Sequence, residues 1–441
     1  ALGCLLSVSA LIGATVTLHH QWGAPTAFRI GPLKAREAPI ATLLLLALGF
    51  AATFGGADIH LARGIERDKP AGHASRPDLE TSFAAWLART EACTVTLSLE
   101  ARPATPTSPA SAAQVQVVRP LFLLAAEGGG VRAAYWTASV IDRLEKVPTS
   151  GPTERSRCGA GQVFLATGVS GGSVGLTVAR FRTADVTVAS HIHNLGKPDA
   201  LSVGSAGLFA RDPLTTLTGI PWGSRDRAWL DRAGLMETSW EQSDGDLSAR
   251  FLEPPTPRDS TRFAAELVLA SATVSTGCRV LVSQIELRPG PDPATPSSCA
   301  DARAPQPMTI DLLDAYGPGR PITPTGSTAD GGTGSTTGEQ RCLTSLAAST
   351  AAMFSARFPY VTPSGVVGPC TADSDPKSTD GTPRPSRPAE QLVDGGYVDS
   401  TGLGVLIDLA PELMALIRKH NATAAIPVVP FALFADNGTG S

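Results

Sequence analysis

The chain has 441 residues, which is enough for one large domain or two ordinary ones. Hydrophobic residues make up 42% and charged residues 17%, so a large part of the chain can form a buried core. The formal net charge is −4 and no long basic run occurs, which argues against nucleic acid as a partner. The first residue is Ala1 and the last is Ser441 in a Gly-rich run, so we expect a fragment of a longer chain.

Seven cysteines are present, and none of them forms a Cys-x-x-Cys pair. The pattern therefore argues against a zinc site, and we expect no metal ion. Cys4 lies in an apolar segment. The other six are compatible either with disulfides in an oxidising compartment or with buried thiols. They are Cys93, Cys158, Cys278, Cys299, Cys342 and Cys370.

Two uncharged, mostly apolar segments lie at the N-terminus, over residues 1–18 and 38–57. The second is long enough to cross a hydrocarbon core about 30 Å thick. We therefore predict two transmembrane helices within residues 1–57, with a pair of buried core helices as the alternative. Three basic residues lie in the loop between the segments and three follow the second, so charge does not fix the orientation.

Residues 58–114 are polar and are interpreted as a connector. Within it, the pattern predicts a short helix over residues 79–89 that carries Phe83, Trp86 and Leu87. A Pro/Ser/Thr/Ala-rich linker over residues 102–113 follows. The globular domain is expected to begin near Val115 and to cover residues 115–441.

Two strand–glycine–helix units open this domain. A predicted strand over residues 115–126 leads into Gly128-Gly129-Gly130, and a helix follows in which Val131, Tyr135, Ala138 and Ile141 share a face. A second apolar strand, residues 162–167, leads into Gly168-Val169-Ser170-Gly171-Gly172 and another helix. This order predicts an α/β domain with a largely parallel sheet.

The rest of the chain predicts further strands, helices and two Gly/Pro-rich surface loops. Strands are predicted over residues 264–274, 279–287 and 426–434, helices over 225–242, 344–358 and 405–419, and loops over 316–338 and 370–390. The last helix is expected to break or restart at Pro411 because proline cannot donate to the helical ladder.

Ser170 lies in the setting of a nucleophile elbow, where small flanking residues permit a sharp turn between a strand and a helix. Such a serine needs a base, and the seven histidines are interpreted as surface or membrane-flanking residues rather than triad members. Asp394 ends a short apolar strand and is followed by Gly395 and Gly396. Its carboxylate can accept the serine proton if it lies about 2.6–3.2 Å away. An ordinary Asp-Gly-Gly turn is the alternative.

The amides of Gly128, Gly129 and Gly130 are suited to an oxyanion or to a phosphate, because they open a helix. With Ala133 they also fit a loose dinucleotide fingerprint, although the acidic residue expected about 20 positions later is missing. Arg132 lies in the first helical turn, where a cation is disfavoured. It is interpreted as meeting an acidic side chain or a ligand phosphate, or as a solvated arginine.

Three motifs together resemble the patatin-like phospholipases, and they occur in the order found in that family. They are residues 127–138, 168–173 and 394–397. Residues 355–360 and 276–283 are similar, less specifically, to bacterial membrane-associated members. The resemblance implies a three-layer α/β sandwich with a largely parallel central sheet, preceded by the two transmembrane helices, in the bacterial inner membrane.

The resemblance also implies a Ser–Asp dyad without histidine. Ser170 matches the nucleophile and Asp394 the base, while Arg132 matches an arginine that could meet phosphate. The oxyanion loop is matched by Gly128, Gly129, Gly130 and Val131. Glu127 departs from the Asp of many plant members, and little effect is expected.

The resulting hypothesis is a membrane-anchored serine acyl hydrolase of the phospholipase A type, with a lipid or phospholipid substrate and no cofactor. The alternatives are an acyltransferase or thioesterase with the same dyad, an inactive lipid-binding module, and a dinucleotide-binding enzyme. Headgroup, acyl position and oligomeric state are left open.

Overall fold

The computed structural model describes only part of the chain. The described residues are 62–63, 65–66, 76–99, 114–146, 159–183, 185–197, 200–208, 212, 231–257, 261–287, 309–313, 342–343, 346–358, 361–367 and 390–438. The two predicted transmembrane segments and the first predicted loop therefore lie outside them, as does the second predicted loop up to residue 389, while Glu390 begins a strand. Within the described ranges, no helix combines the length and the hydropathy needed to cross a bilayer.

Strands and helices alternate along the described chain. The strands are β1 (Ile65–Glu66), β2 (Val95–Leu99), β3 (Gln114–Ala126), β4 (Val163–Val169), β5 (Glu266–Thr273), β6 (Arg279–Ser283), β7 (Thr309–Asp311), β8 (Cys342–Leu343), β9 (Gly365–Val367), β10 (Glu390–Asp394) and β11 (Val428–Ala435). The helices are α1 (Leu79–Arg89), α2 (Gly130–Glu145), α3 (Gly171–Phe181), α4 (Val188–Leu195), α5 (Ala200–Ala206), α6 (Arg232–Ser243), α7 (Ala348–Ser355) and α8 (Leu403–Asn421).

The main sheet has a parallel centre with the strand order β11-β3-β4-β5. Antiparallel strands extend it: β2 pairs with β3, β6 and β10 pair with β5, and β9 pairs with β10. Strand β7 pairs with β6 in parallel. The predicted α/β class with a largely parallel sheet is thus observed at the centre, while the sheet as a whole is mixed.

Helices cover both faces of this sheet. On one face, α2, α3, α4 and α7 pack against strand residues such as Leu124 and Leu269. On the other face, α1 and α8 pack against residues such as Leu165 and Val268. Alternate residues of one strand therefore enter opposite cores, as the period of a β-strand requires. The described part has three layers.

Strand β5 brings β4 and β10 end to end. Its residues 268–270 pair with both β4 and β6, and residues 271–272 pair with both β6 and β10. Because a strand has two edges, β4 and β10 must share the edge opposite β6. Val169 pairs with Ala270, and Asp394 pairs with the next residue, Ser271. The register of β5 therefore places the end of β4 beside the end of β10.

Part of the predicted connector belongs to the folded domain. The helix over residues 79–89 is present as α1, and Leu79, Phe83 and Trp86 are buried in the core that also holds α8. Strand β2 extends the sheet alongside β3. Apolar residues of α1 thus cover one face of the sheet, although they precede the expected domain start near Val115.

Helix α8 runs without interruption from Leu403 to Asn421 with Pro411 inside it, so the expected break is wrong. Proline removes one donor from the ladder, and the carbonyl it would have served belongs to Ile407. Both Pro411 and Ile407 are exposed, so water can satisfy that carbonyl. The buried residues Val405, Leu409, Leu413 and Ile417 hold the opposite face in place.

Cys93 and Cys278 each take part in a disulfide bond. Of the two alternatives that the sequence left open for the cysteines, the structure thus has disulfides at these two positions.

Candidate active site

Ser170 occupies the sharp turn between β4 and α3. Its φ angle is +52°, and it is the only non-glycine residue of the described chain with a positive φ. A side chain at Gly171 would overlap the carbonyl oxygen of Gly130, and one at Gly172 would lie 2.5 Å from that of Ala126. The turn is therefore possible only with glycines after the serine, which is the local geometry of a nucleophile elbow.

Asp394 lies at the end of β10 and is 4% exposed. Its backbone N–H donates to the carbonyl of Arg357 at 2.9 Å, and its Oδ1 accepts from the N–H of Gly396 at 2.8 Å. Two bonds thus fix both the backbone and one carboxyl oxygen of this residue.

The structure brings Ser170 and Asp394 together. Burial raises the pKa of Asp394, and contacts with the Ser170 hydroxyl and the Gly396 N–H lower it only in part. The Ser170 contact is looser than a standard hydrogen bond, because the buried Oδ2 of Asp394 meets no donor at hydrogen-bonding geometry. Apo enzymes often hold such pairs loosely and tighten them when substrate binds.

The glycine loop lies directly against the elbow. A side chain added at Gly128 would lie 3.4 Å from the Cβ of Ser170. The Gly128 N–H, however, donates to the carbonyl of Ser400 at 2.8 Å. Of the four residues expected to form the oxyanion loop, Gly128 is therefore not a free donor.

The next amides of the loop are open. Helix α2 begins at Gly130, so the N–H groups of Gly130 and Val131 have no acceptor within the helix. Neither they nor the N–H of Gly129 have a hydrogen-bond acceptor elsewhere in the described part of the chain. The same holds for the N–H of Gly171, the first residue of α3. The amide after a nucleophile and one from a neighbouring loop form the oxyanion hole of elbow enzymes.

Arg132 is exposed and donates to Oδ1 of Asn437 at 3.1 Å. Within the described residues it has no carboxylate partner. Of the interpretations made from the sequence, an acidic partner for Arg132 is therefore not found among the described residues. A ligand anion or solvent remains as the group that its charge meets. Asn437 also bonds the carbonyl of Gly128, so it connects this arginine to the glycine loop.

Histidine supplies no obvious base. His191, interpreted from the sequence as a surface residue, is in fact buried, and its Nδ1 lies 2.6 Å from Oδ2 of Asp244. The pair joins α4 to the end of α6, and no contact with Ser170 occurs. Among the described residues, no group of three or more His, Cys, Asp or Glu side chains is placed to hold a metal ion.

Two residues of the site were not predicted as such. Ser355 accepts the backbone N–H of Ser170, and Asn437 holds the glycine loop. Ser355 lies in a segment noted only for its resemblance, and no pattern in the sequence marks Asn437.

The sequence matches no protein-family model and no curated protein. Two solved structures are similar in part. Human GIVD cytosolic phospholipase A2 has 13% identity and a TM-score of 0.28, over 72% of this chain and 53% of that one. VipD from Legionella pneumophila has 10% identity and a TM-score of 0.23, over 75% of this chain and 51% of that one. The chain thus spans about half the length of each. Likenesses this weak carry no argument, so function is inferred from the site itself.

Proposed function

We propose that this protein is a serine acyl hydrolase that cleaves lipid esters with Ser170 as nucleophile and Asp394 as base. The proposal rests mainly on one observation. A serine held in a strained turn faces a buried carboxyl group, beside backbone amides that have no partner in the described chain. Strain, desolvation and open donors at one point are typical of catalytic sites rather than of ordinary turns.

The proposed reaction has two steps. Asp394 accepts the hydroxyl proton of Ser170 while Oγ attacks the ester carbonyl, and the amides of Gly129, Gly130 and Gly171 stabilise the oxyanion. The oxyanion collapses, and the leaving alcohol takes the proton from Asp394. Water then attacks the acyl-enzyme, Asp394 accepts a proton of that water, and the proton returns to Ser170 as the carboxylic acid leaves.

The environment of Asp394 supports its role as base. An ordinary aspartate is a weak base at neutral pH, and burial raises the pKa of Asp394 towards the working range. The carboxylate is also acceptor-only when ionised, so it can serve both the Gly396 N–H and the serine hydroxyl.

A phospholipid is the proposed substrate, and Arg132 the proposed phosphate contact. The guanidinium is exposed beside the open amides and has no carboxylate partner in the described chain. Such a group suits the bidentate recognition of a phosphate. The two apolar N-terminal segments remain predicted anchors that would keep the domain near its insoluble substrate.

We further propose that the domain lies on the oxidising side of the membrane. Disulfides at Cys93 and Cys278 would not persist in a reducing cytosol. This supports an orientation that the basic residues flanking the apolar segments leave undecided. Labelling of whole cells with an impermeant amine reagent, followed by isolation of the protein, tests it: an unlabelled domain would mean a cytoplasmic location.

Reaction with a fluorophosphonate probe tests the central proposal, because only an activated serine reacts. We expect labelling of the wild type, none of Ser170→Ala, and wild-type labelling of Ser248→Ala, a control at an exposed serine. We also expect the wild type and Ser248→Ala to hydrolyse a short-chain ester, and Ser170→Ala not to. Labelling that survives in Ser170→Ala would refute the dyad. In the ester assay with an added alcohol, formation of the transfer ester in preference to the free acid would indicate an acyltransferase.

A further inference from the structure

Ser170 is half-buried, and three segments lie next to the opening through which it meets solvent. The first is residues 128–135, which lie against the elbow; the second is residues 357–358, where the Arg357 carbonyl holds Asp394; the third is residues 395–400, where the Ser400 carbonyl holds Gly128. Each segment thus contacts either the dyad or the glycine loop beside it, and together they form the border of the site.

Large apolar side chains are exposed on all three segments. The exposed fractions are 64% for Val131, 51% for Tyr135, 56% for Phe358, 59% for Tyr397 and 43% for Val398. We call these five residues the apolar rim.

The residues of the apolar rim are not part of the hydrophobic core. Val131 and Tyr135 were expected on the buried face of α2, but that face is formed by Ala134, Ala138 and Ile141. Exposed apolar residues are unremarkable singly, whereas a set around one opening marks a surface that meets an apolar partner.

Basic side chains lie next to the apolar rim. Arg132, His193 and Lys197 line an open groove of about 370 Å³ between α2 and α4, together with Val131 and Tyr135. Among the residues that the structure describes, no carboxylate lines this groove.

Two described carboxylates close to the glycine loop and to Asp394 are engaged elsewhere. Glu127 accepts the N–H of Asn437, and Asp399 accepts the N–H groups of Thr401 and Gly404. The groove therefore presents positive charge next to apolar surface. This combination suits lipid phosphates above acyl chains.

We infer that the apolar rim is the surface by which the folded domain docks on an anionic bilayer, with Arg132, His193 and Lys197 on the lipid phosphates. The inference rests on the proposed function and names the surface that delivers the substrate. A second copy of the chain is a poorer occupant, because pairing of two rims would bring their cations together. Docking in this way turns the opening above Ser170 towards the lipid.

The first test measures docking without turnover. Full-length Ser170→Ala is placed in nanodiscs of phosphatidylcholine, with or without phosphatidylglycerol, and amide hydrogen exchange is followed. We expect slower exchange over residues 128–135 and 395–400 when the anionic lipid is present. Unchanged exchange in those segments would overturn the inference, as would protection that depends on protein concentration instead of lipid composition.

The second test uses the wild-type dyad. The ratio of the hydrolysis rate on vesicle phospholipid to that on a soluble short-chain ester should fall about tenfold in Phe358→Ser/Tyr397→Ser, since partial burial of two aromatic side chains is lost. Ile407→Ser is the matched control, because Ile407 is 69% exposed but lies on α8 outside the three segments. Its ratio should equal that of the wild type.

The two proposals fail in different ways. If the ratio of vesicle to soluble-ester hydrolysis falls equally in the double variant and in Ile407→Ser, the docking surface is wrong. Fluorophosphonate labelling of Ser170 would still support the dyad in that case. If the wild type takes no probe, the dyad fails, and the exchange experiment still decides whether the rim meets lipid.

Discussion

The backbone N–H of Ser170 donates a hydrogen bond to Oγ of Ser355 at 3.0 Å. The Ser355 hydroxyl donates to the carbonyl of Ala270, so it accepts the hydroxyl of Ser173 at 2.7 Å. Two residues further on, the carbonyl of Arg357 accepts the N–H of Asp394. One short segment at the end of α7 therefore holds the backbones of both proposed catalytic residues and fixes their separation.

Ser355→Ala should consequently impair catalysis more than substrate binding. The change leaves the Ser170 N–H without its acceptor, which costs about 1–3 kcal/mol of stability. A shift of the nucleophile of about 1 Å can lower kcat by about 100-fold. We expect such a loss in kcat with little change in KM, measured with a soluble ester on protein shown by thermal unfolding to be folded.

Ser349→Ala separates positioning from stability. Ser349 is also buried on α7, but its hydroxyl bonds Glu241, away from the dyad. It should lose similar stability and keep the wild-type kcat. Equal kcat values for the two variants would show that Ser355 has only a structural role.

Local sequence patterns predicted the parts of the site, and the sheet register assembled them. The glycines around Ser170 and after Asp394 marked two turns, because close backbone approach leaves no room for side chains. The two residues are 394 − 170 = 224 positions apart. Their meeting depends on β5 pairing with β4 and then with β10, and no local pattern encodes which strands share an edge.

Tertiary packing also explains the errors. Pro411 was expected to break a helix, but burial of the opposite face of α8 outweighs one missing hydrogen bond. His191 was expected at the surface, because the sequence does not show that it pairs with a carboxylate. Its partner, Asp244, lies 53 positions away along the chain. Tyr135 fitted an apolar helical face, but α2 buries a different face, which carries Ala134 and Ala138, in the core that it shares with the sheet and α3.

The environment of Asp394 predicts a pH dependence of activity. Burial raises the pKa of Asp394 above its ordinary value of 3.8, and a general base works only when ionised. The acid limb of kcat/KM on a soluble ester should therefore lie above pH 3.8. Asp436→Asn, which alters an exposed carboxylate, should leave that limb in place. A limb at the ordinary aspartate value would argue against a desolvated base.

The same raised pKa predicts a gain of stability in Asp394→Asn. The folded state binds the carboxyl proton of Asp394 more tightly than the unfolded chain does. Protonated Asp394 therefore contributes its whole stabilisation below pH 3.8, and this stabilisation is lost as the pH rises through the pKa of the folded state. At pH 7 the inactive variant should therefore unfold at a higher temperature than the wild type. The difference should shrink towards pH 4, and a variant that is less stable at pH 7 would contradict the prediction.

Gly171→Ala should abolish fluorophosphonate labelling. The new methyl group would overlap the Gly130 carbonyl, so the glycine loop must move away from the elbow and its open amides with it. Gly245→Ala is the matched control, because a side chain there meets no atom within 4 Å. Normal labelling of Gly171→Ala would mean that the contact between loop and elbow is not needed for serine activation.

Arg132→Gln should reduce the hydrolysis of phospholipids more than that of neutral lipid esters. The loss of one charged contact to phosphate corresponds to about 1.5–3 kcal/mol, or about a tenfold to hundredfold fall in kcat/KM. Arg418→Gln removes an exposed cation from the far end of α8 and should change neither rate. Equal losses on both substrates would assign Arg132 a structural role through Asn437 instead.

His191→Ala should separate the stability of the fold from the activation of Ser170. The buried carboxylate of Asp244 loses its partner, which should destabilise the fold by about 2–4 kcal/mol, measured by denaturant unfolding. A dyad without histidine nevertheless predicts that the folded variant reacts with fluorophosphonate at the wild-type rate. His420→Ala changes a half-buried histidine at the end of α8, whose ring contacts Phe83, and it provides a control that should keep the wild-type labelling rate. Loss of labelling in folded His191→Ala, with labelling kept in His420→Ala, would show that a histidine activates Ser170, and the carboxylate would then be a partner rather than the base.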